Sequence, residues 1–118
     1  MVRSAVSCEV LVEVPAWRKA WPNARREARQ FLSRIARRPE IFPLPEGFVV
    51  IVLADDARIR ALNLQFRRKD RATNVLSFPD PQAPLGGMAL ALETLEKEAA
   101  QQDKPFINHV KHMILHGF

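Results

Sequence analysis

Residues 48–66, FVVIVLADDARIRALNLQF, hold the two signals that decide the fold. The first seven, 48–54, form an unbroken apolar run, which indicates a strand buried on both faces. Asp55 and Asp56 follow as candidate helix caps, and apolar residues then recur at helical spacing: Ile59, Leu62 and Phe66. A buried strand that leads directly into such a helix is typical of a layered fold built on one sheet.

The segments before this stretch predict a strand and a helix. Residues 5–14 alternate apolar and other side chains, which indicates a strand. Pro15 and Pro22 mark an irregular connection. Asn23 is a candidate cap for a helix whose apolar residues are Ala24, Ala28, Phe31, Leu32 and Ile35. This helix should end before Pro39, because the residue that precedes a proline disfavours helix.

The segments after it complete the pattern. Residues 75–78 predict a short strand that Pro79 ends, and a loop should follow, rich in turn residues: Pro81, Pro84, Gly86 and Gly87. Residues 88–92 predict a fourth strand, and 93–101 and 106–118 predict two helices. The order βαβαββαα predicts an α+β (α/β layered) fold, with a single mixed sheet of about four strands packed with helices. We expect residues 1–118 to form a single domain.

Composition limits the classes of function. The chain has 118 residues, of which 47% are hydrophobic and 26% charged, as in ordinary globular proteins. Its one cysteine, Cys8, excludes an internal disulfide and a cysteine-rich zinc cage. The start of the chain has no apolar run like that of a secretory signal, and no apolar run is long enough for a membrane span. We therefore expect a cytoplasmic protein with no membrane partner.

The net charge of +5 is concentrated in two stretches. Residues 18–38 contain eight basic residues and one acid, and residues 58–71 contain six basic residues and one acid. Such clusters attract polyanions, of which nucleic acid is the usual one, although a solvated helix face gives the same pattern. The candidates for RNA binding are Arg25, Arg29, Arg68 and Lys69.

All three histidines lie in the last helix, at positions 109, 112 and 116. At about 100° per residue these offsets place them within an arc of roughly 60°. His112 and His116 have the i, i+4 spacing by which one helix offers two imidazoles to a metal, although a polar surface also fits. Met113 follows His112, which excludes the His-Glu-x-x-His motif of zinc proteases. Neither a Ser or Cys triad nor a Gly-rich phosphate loop is indicated.

Four segments together resemble the YbeY family of endoribonucleases. Residues 62–79, LNLQFRRKDRATNVLSFP, resemble the family signature that ends in T-[ND]-V-L-S-F-P. Residues 112–117, HMILHG, resemble the opening of its H-G-x-L-H-x-x-G-x-D-H motif. Residues 85–99 resemble its L-G-D-I strand and E-T-x-x-x-E-A helix, and residues 10–17 its first strand and P-x-W. The resemblance runs in order along nearly the whole chain.

The resemblance implies a metal-dependent endoribonuclease that cleaves single-stranded RNA. It implies one zinc per complete chain, bound through three histidines, and a role in 16S rRNA 3′-end maturation and ribosome quality control. His116 matches the first zinc ligand, and Arg67 matches an arginine thought to be catalytic, for which a structural pair with Asp70 is the alternative. The remaining residues are interpreted as follows: His112, Asn74 and Ser77 line the site, and His109 is helix surface.

Two departures from the family pattern bear on activity. Gly87 stands where the family commonly has the aspartate of L-G-D-I, and the sequence stops at Phe118, before the second and third ligand histidines. A domain without the later part of this motif could be an inactive, truncated remnant that only binds RNA through its basic surface. A third expectation is a barely folded chain that exposes apolar area and aggregates. The sequence does not indicate an oligomeric state.

Overall fold

The computed structural model describes residues 6–71 and 73–118, and these residues form strands and helices in the order β–α–α–β–α–β–β–α–α. The strands are β1 (Val6–Val12), β2 (Gly47–Ala54), β3 (Val75–Asp80) and β4 (Ala83–Ala91). The helices are α1 (Ala16–Ala20), α2 (Ala24–Ala36), α3 (Asp56–Arg67), α4 (Leu92–Gln101) and α5 (Phe106–His116).

The four strands form one mixed sheet in the order β1-β2-β4-β3. β1 and β2 are parallel, β2 and β4 are parallel, and β3 runs antiparallel to β4 at one edge. The predicted α+β fold with a single mixed sheet of about four strands is therefore confirmed. Ala5, placed by the prediction at the start of the first strand, lies outside the described residues.

Helices cover the two faces of the sheet unequally. The larger cluster of buried side chains joins β1, β2 and β4 to α1, α2, α4 and α5 on one face. On the other face α3 covers the β3–β4 half, where Ile59 and Leu62 meet Leu76, Ala89 and Ala91. Successive residues of a strand point to opposite faces, so β2 and β4 are apolar on both.

Two boundaries differ from the prediction. Helix α1 occupies part of the predicted connection after Pro15, and its Trp17 is buried with the indole Nε1 donating to the Ala54 oxygen at 2.7 Å. β3 continues through Pro79, and β4 begins at Ala83, inside the predicted loop. Because β3 is an edge strand, a proline without an N–H is tolerated there, and the pairing shifts register next to it.

The two predicted N-caps behave differently. Asp55 caps α3, since its Oδ1 accepts from the Arg58 N–H at 2.8 Å. Asn23 occupies the predicted N-cap position of α2, but its side chain makes no capping hydrogen bond. The Asp56 carboxylate accepts instead from the backbone N–H and the hydroxyl of Thr94, at 3.2 and 2.8 Å. The first turn of α3 is thereby joined to α4.

Helix length bears on the expected absence of a membrane span. α2, the longest helix of the described residues, has 13 residues, whereas a span requires about 20 apolar ones. None of the described helices combines the length and the apolar character that crossing a bilayer requires.

Replacement of Trp17 by Phe should destabilise the fold by about 2 to 4 kcal/mol, because it leaves the Ala54 oxygen without its buried donor and opens a cavity. Urea unfolding followed by circular dichroism measures this change. Lys19→Ala, an exposed change in the same helix, is the control and should stay within about 0.5 kcal/mol of the parent. Equal losses in the two variants would contradict the prediction.

Candidate functional site

The C-terminal end of α3 leads into a loop that folds back along the helix. Arg68 ends the helix in the left-handed conformation, with φ 55°. Arg60 donates to both carboxylate oxygens of Asp70, at 2.6 and 3.1 Å, and Asn63 Nδ2 donates to the Arg71 oxygen at 3.0 Å. A bidentate pair of this kind fixes geometry. Two contacts thus tie the basic loop to the helix that precedes it.

Arg67 is the last residue of α3, and its side chain is exposed. No ion pair among residues 6–71 and 73–118 involves Arg67. The alternative in which Arg67 pairs with Asp70 is wrong, because Asp70 binds Arg60 instead. Hydrogen bonding from Arg60 holds the pKa of the Asp70 carboxyl below its ordinary value. The Arg67 guanidinium is therefore available for an anion.

A pocket of about 260 Å³ lies between the end of α3 and the loop. The pocket is lined by Asn63, Arg67, Lys69, Arg71 and Thr73. Three of these residues are basic and none is acidic. A concave site lined by one sign of charge concentrates ions of the opposite sign, and guanidinium groups bind phosphate in bidentate fashion. Of the other predicted RNA contacts, Arg68 is exposed beside this pocket. The pocket has the chemistry of a phosphate site.

The end of α5 lies against the edge strand β3. The Ser77 hydroxyl donates to the Gly117 oxygen at 2.6 Å, and the Gly117 N–H donates to the Met113 oxygen at 3.0 Å. The last turn of α5, with the exposed His116, is thus held beside Ser77. His112 is also exposed, one turn earlier. Ser77 thus contacts the residue that follows His116 in the chain.

A partly buried polar network joins Asn74, the residue before β3, to α4 and α5. Asn74 Nδ2 lies 3.2 Å from each carboxylate oxygen of Glu98, and His109 Nε2 lies 2.9 Å from Glu98 Oε1. His109 is only 3% exposed, so its interpretation as helix surface is wrong. α5 turns this histidine inward with Val110 and Met113, and the partner carboxylate comes from α4. In the sequence, Glu98, eleven residues before His109, could have indicated that this histidine has a carboxylate partner.

The residues that the structure describes do not form a metal site. Among them, no group of three His, Cys, Asp or Glu side chains is placed to hold a metal ion. His109 is engaged with Glu98, which leaves His112 and His116 as the exposed imidazoles of α5. A catalytic zinc requires three protein ligands. The donor set present here therefore does not fit a catalytic zinc by itself.

Arg25 and Arg29 lie far from the pocket. Both belong to α2, which packs on β1, and Arg25 Nε donates to the Val10 oxygen at 3.1 Å. β1 and β3 are the opposite edges of the sheet, about 14 Å apart at a strand spacing near 4.8 Å. Arg25 and Arg29 therefore lie towards the β1 edge and Arg68 and Lys69 follow α3 on the β3–β4 half, so the predicted RNA contacts do not form one cluster.

The lone cysteine is not placed for nucleophilic chemistry. Cys8 lies in β1 with its side chain buried, and burial raises the pKa of its thiol. The thiolate is the reactive form, so this environment disfavours reaction.

Two aromatic residues, one at the end of α3 and one in β3, were missed as site residues. Phe66 and Phe78 stack with ring centroids 6.0 Å apart and planes inclined by 15°. The Phe78 ring lies over Gly87, where an added Cβ would come within 2.5 Å of two ring carbons. Gly87 thus has a steric role in this chain. The apolar side chain of Phe66, exposed at the end of α3, could have indicated this stacked pair.

The sequence model of one protein family, described as Endoribonuclease YbeY, matches residues 17–118. The chain belongs to the YbeY family. A Rhizobium meliloti protein named Endoribonuclease YbeY is 41% identical over 99 residues, which cover 77% of this chain and 58% of that protein. A Paramagnetospirillum magneticum protein of the same name is 40% identical over 127 residues, covering 95% of this chain and 76% of that protein.

The fold has a counterpart among solved structures. The solution structure of TM1509 from Thermotoga maritima matches with a TM-score of 0.66 and 22% sequence identity, over 94% of this chain and 69% of that one. At this identity the match shows a shared fold. The chain spans 58% of the length of the Rhizobium meliloti relative.

Replacement of Glu98 by Ala should lower the free energy of unfolding by about 1 to 3 kcal/mol, because buried His109 and half-buried Asn74 both lose their acceptor. Glu96→Ala, an exposed change in the same helix, should be close to neutral. Chemical denaturation of the two variants measures both values. A Glu98 variant as stable as the Glu96 variant would show that the network contributes nothing.

Proposed function

We propose that this chain is the RNA-contacting domain of a YbeY-type, metal-dependent endoribonuclease, with residues 1–118 as one domain. The observation that carries the proposal is the pocket of Arg67, Lys69 and Arg71, which has no acid in its lining. The proposed substrate is single-stranded RNA in the cytoplasm, in particular the 3′ end of 16S rRNA. The family membership and the names of the relatives support the enzymatic class.

Arg67 is the residue we assign to the reacting phosphate. Its guanidinium has two parallel N–H donors and no carboxylate partner in the described part of the chain, so it can bind two phosphate oxygens. A fixed cation at this position stabilises the negative charge that develops on phosphorus during cleavage. Asn63 holds the loop on the other side of the pocket through the Arg71 oxygen.

The proposed zinc site includes His116 as one ligand, with Ser77, His112 and Asn74 nearby. Ser77 fixes the last turn of α5 through Gly117, and Asn74 fixes α5 through Glu98 and His109. The second and third histidines of the family motif have no counterpart within residues 1–118. When bound, the metal would supply an activated water in such an enzyme.

A second candidate function is RNA binding without cleavage. It is favoured by the lack of a three-ligand group among residues 6–71 and 73–118. With either function we propose that the protein associates with the ribosome, because a basic surface binds structured RNA through its phosphates. The two functions differ in whether metal is bound and whether RNA is cut.

Replacement of Arg67 by Ala should weaken binding of single-stranded RNA and reduce the slope of log K against log salt by about 0.7, the value expected for one lost phosphate contact. Arg67→Lys should retain the slope but lose the bidentate contact. The matched control is Arg37→Ala, which removes the same charge at the end of α2. Fluorescence anisotropy titrations at several salt concentrations measure these slopes. Equal slopes for the Arg67 and Arg37 alanine variants would refute the phosphate assignment.

Zinc content distinguishes the two candidate functions. We expect the chain of residues 1–118 to retain well below one zinc per chain after dialysis, since three ligands are needed for tight binding and the described residues do not gather them. Elemental analysis of the parent and of His116→Ala measures this content. Near one zinc in the parent, lost in the variant, would contradict this expectation and support cleavage.

A further inference from the structure

Phe66 is an aromatic residue whose side chain is not buried in the core. It is 42% exposed at the end of α3, one residue before Arg67, and one side of its ring is occupied by Phe78. Leu64, in the same turn, is also exposed. Offset stacking at this separation fixes a ring in orientation. The end of α3 thus presents a flat, preoriented apolar surface to solvent.

Gly87 allows this arrangement. Phe78 pairs with Gly87 across the β3–β4 ladder, and its ring lies on the glycine backbone. An added Cβ would come within 2.5 Å of two ring carbons, so any other residue would displace the Phe78 ring. Since Phe66 stacks on Phe78, that displacement would remove the support of Phe66. The stacked pair and the glycine therefore act as one unit.

The charges around this surface indicate what it binds. Arg67, Arg68, Lys69 and Arg71 follow Phe66 directly, and Asp70, the one acid among them, is occupied by Arg60. A ligand that matches both features carries negative charge and exposes the flat face of an aromatic ring. Unpaired nucleotides have this combination, whereas a duplex hides its base faces in the stack.

We infer that Phe66, supported by Phe78 and Gly87, is a stacking subsite for one unpaired base of single-stranded RNA, next to the phosphate pocket of Arg67. The inference rests on the proposed function and adds a base contact to its phosphate contacts. Stacking tolerates any base because every base has a π face. The subsite thus selects single strands over duplexes without reading their sequence.

The test compares two labelled ligands of about ten nucleotides, oligoadenylate and an abasic ribose-phosphate strand of the same length. Binding is measured by anisotropy in EDTA, so that cleavage does not consume the probe. Phe66→Ala should lower affinity for oligoadenylate about 5- to 150-fold and leave affinity for the abasic strand unchanged. Phe66→Trp, which keeps a stacking ring, should retain binding of oligoadenylate.

The controls separate this subsite from the proposed function. Ile41→Ala removes an exposed apolar side chain elsewhere (66% exposed) and should change neither affinity, and Arg67→Ala should weaken both. A parent chain that binds the two strands equally, or a Phe66→Ala variant that weakens both or neither, would overturn the subsite and leave phosphate binding standing. A parent chain that binds neither strand would overturn the proposed function as well.

Discussion

The burial of β4 on both faces is the constraint on which the rest of the structure depends. Its side chains alternate between Met88 and Leu90, which meet α5, and Ala89 and Ala91, which meet α3. The alanines leave room for α3 to lie close to the sheet, while the larger residues fill the wider space beneath α5. Because β3 pairs only with β4, this one strand also positions the edge at which the candidate site lies.

The fold was predictable where local signals agree with tertiary packing. The apolar run of β2 and the cap at Asp55 predict a strand and a helix, and both are present because β2 is buried on both faces. The short helix α1 was not predicted, since five residues carry little periodicity and the buried indole of Trp17 stabilises it through Ala54, 37 residues away. The start of β4 was missed because Pro84 and Gly86 indicate a loop. Pairing with β2 begins only at Gly87, so this part of β4 pairs on one side alone and tolerates them.

The sequence indicated most residues of the candidate site one by one, but it did not indicate which of them lie together. The basic loop and the exposed imidazoles were visible as residue types, yet Ser77 meets Gly117 across 40 residues and His109 meets a carboxylate from another helix. Successive residues of β3 point to opposite faces, so Ser77 faces the end of α5 while Phe78 faces α3. The edge strand therefore separates His116 from the stacked phenylalanines, and a bound strand of RNA would have to cross that edge to reach both.

The ion pair between Arg60 and Asp70 ties a strongly basic loop to the helix that precedes it. Residues 67–71 hold four cations and one acid, and such a segment would ordinarily pair that acid with one of its own cations, Arg67 or Lys69, which would cancel part of its positive field. Arg60, ten residues earlier on the exposed face of α3, takes both carboxylate oxygens instead. The contact holds Asp70 against the helix and leaves Arg67, Lys69 and Arg71 without a carboxylate partner in the described part of the chain, so that their charge is available to an anion.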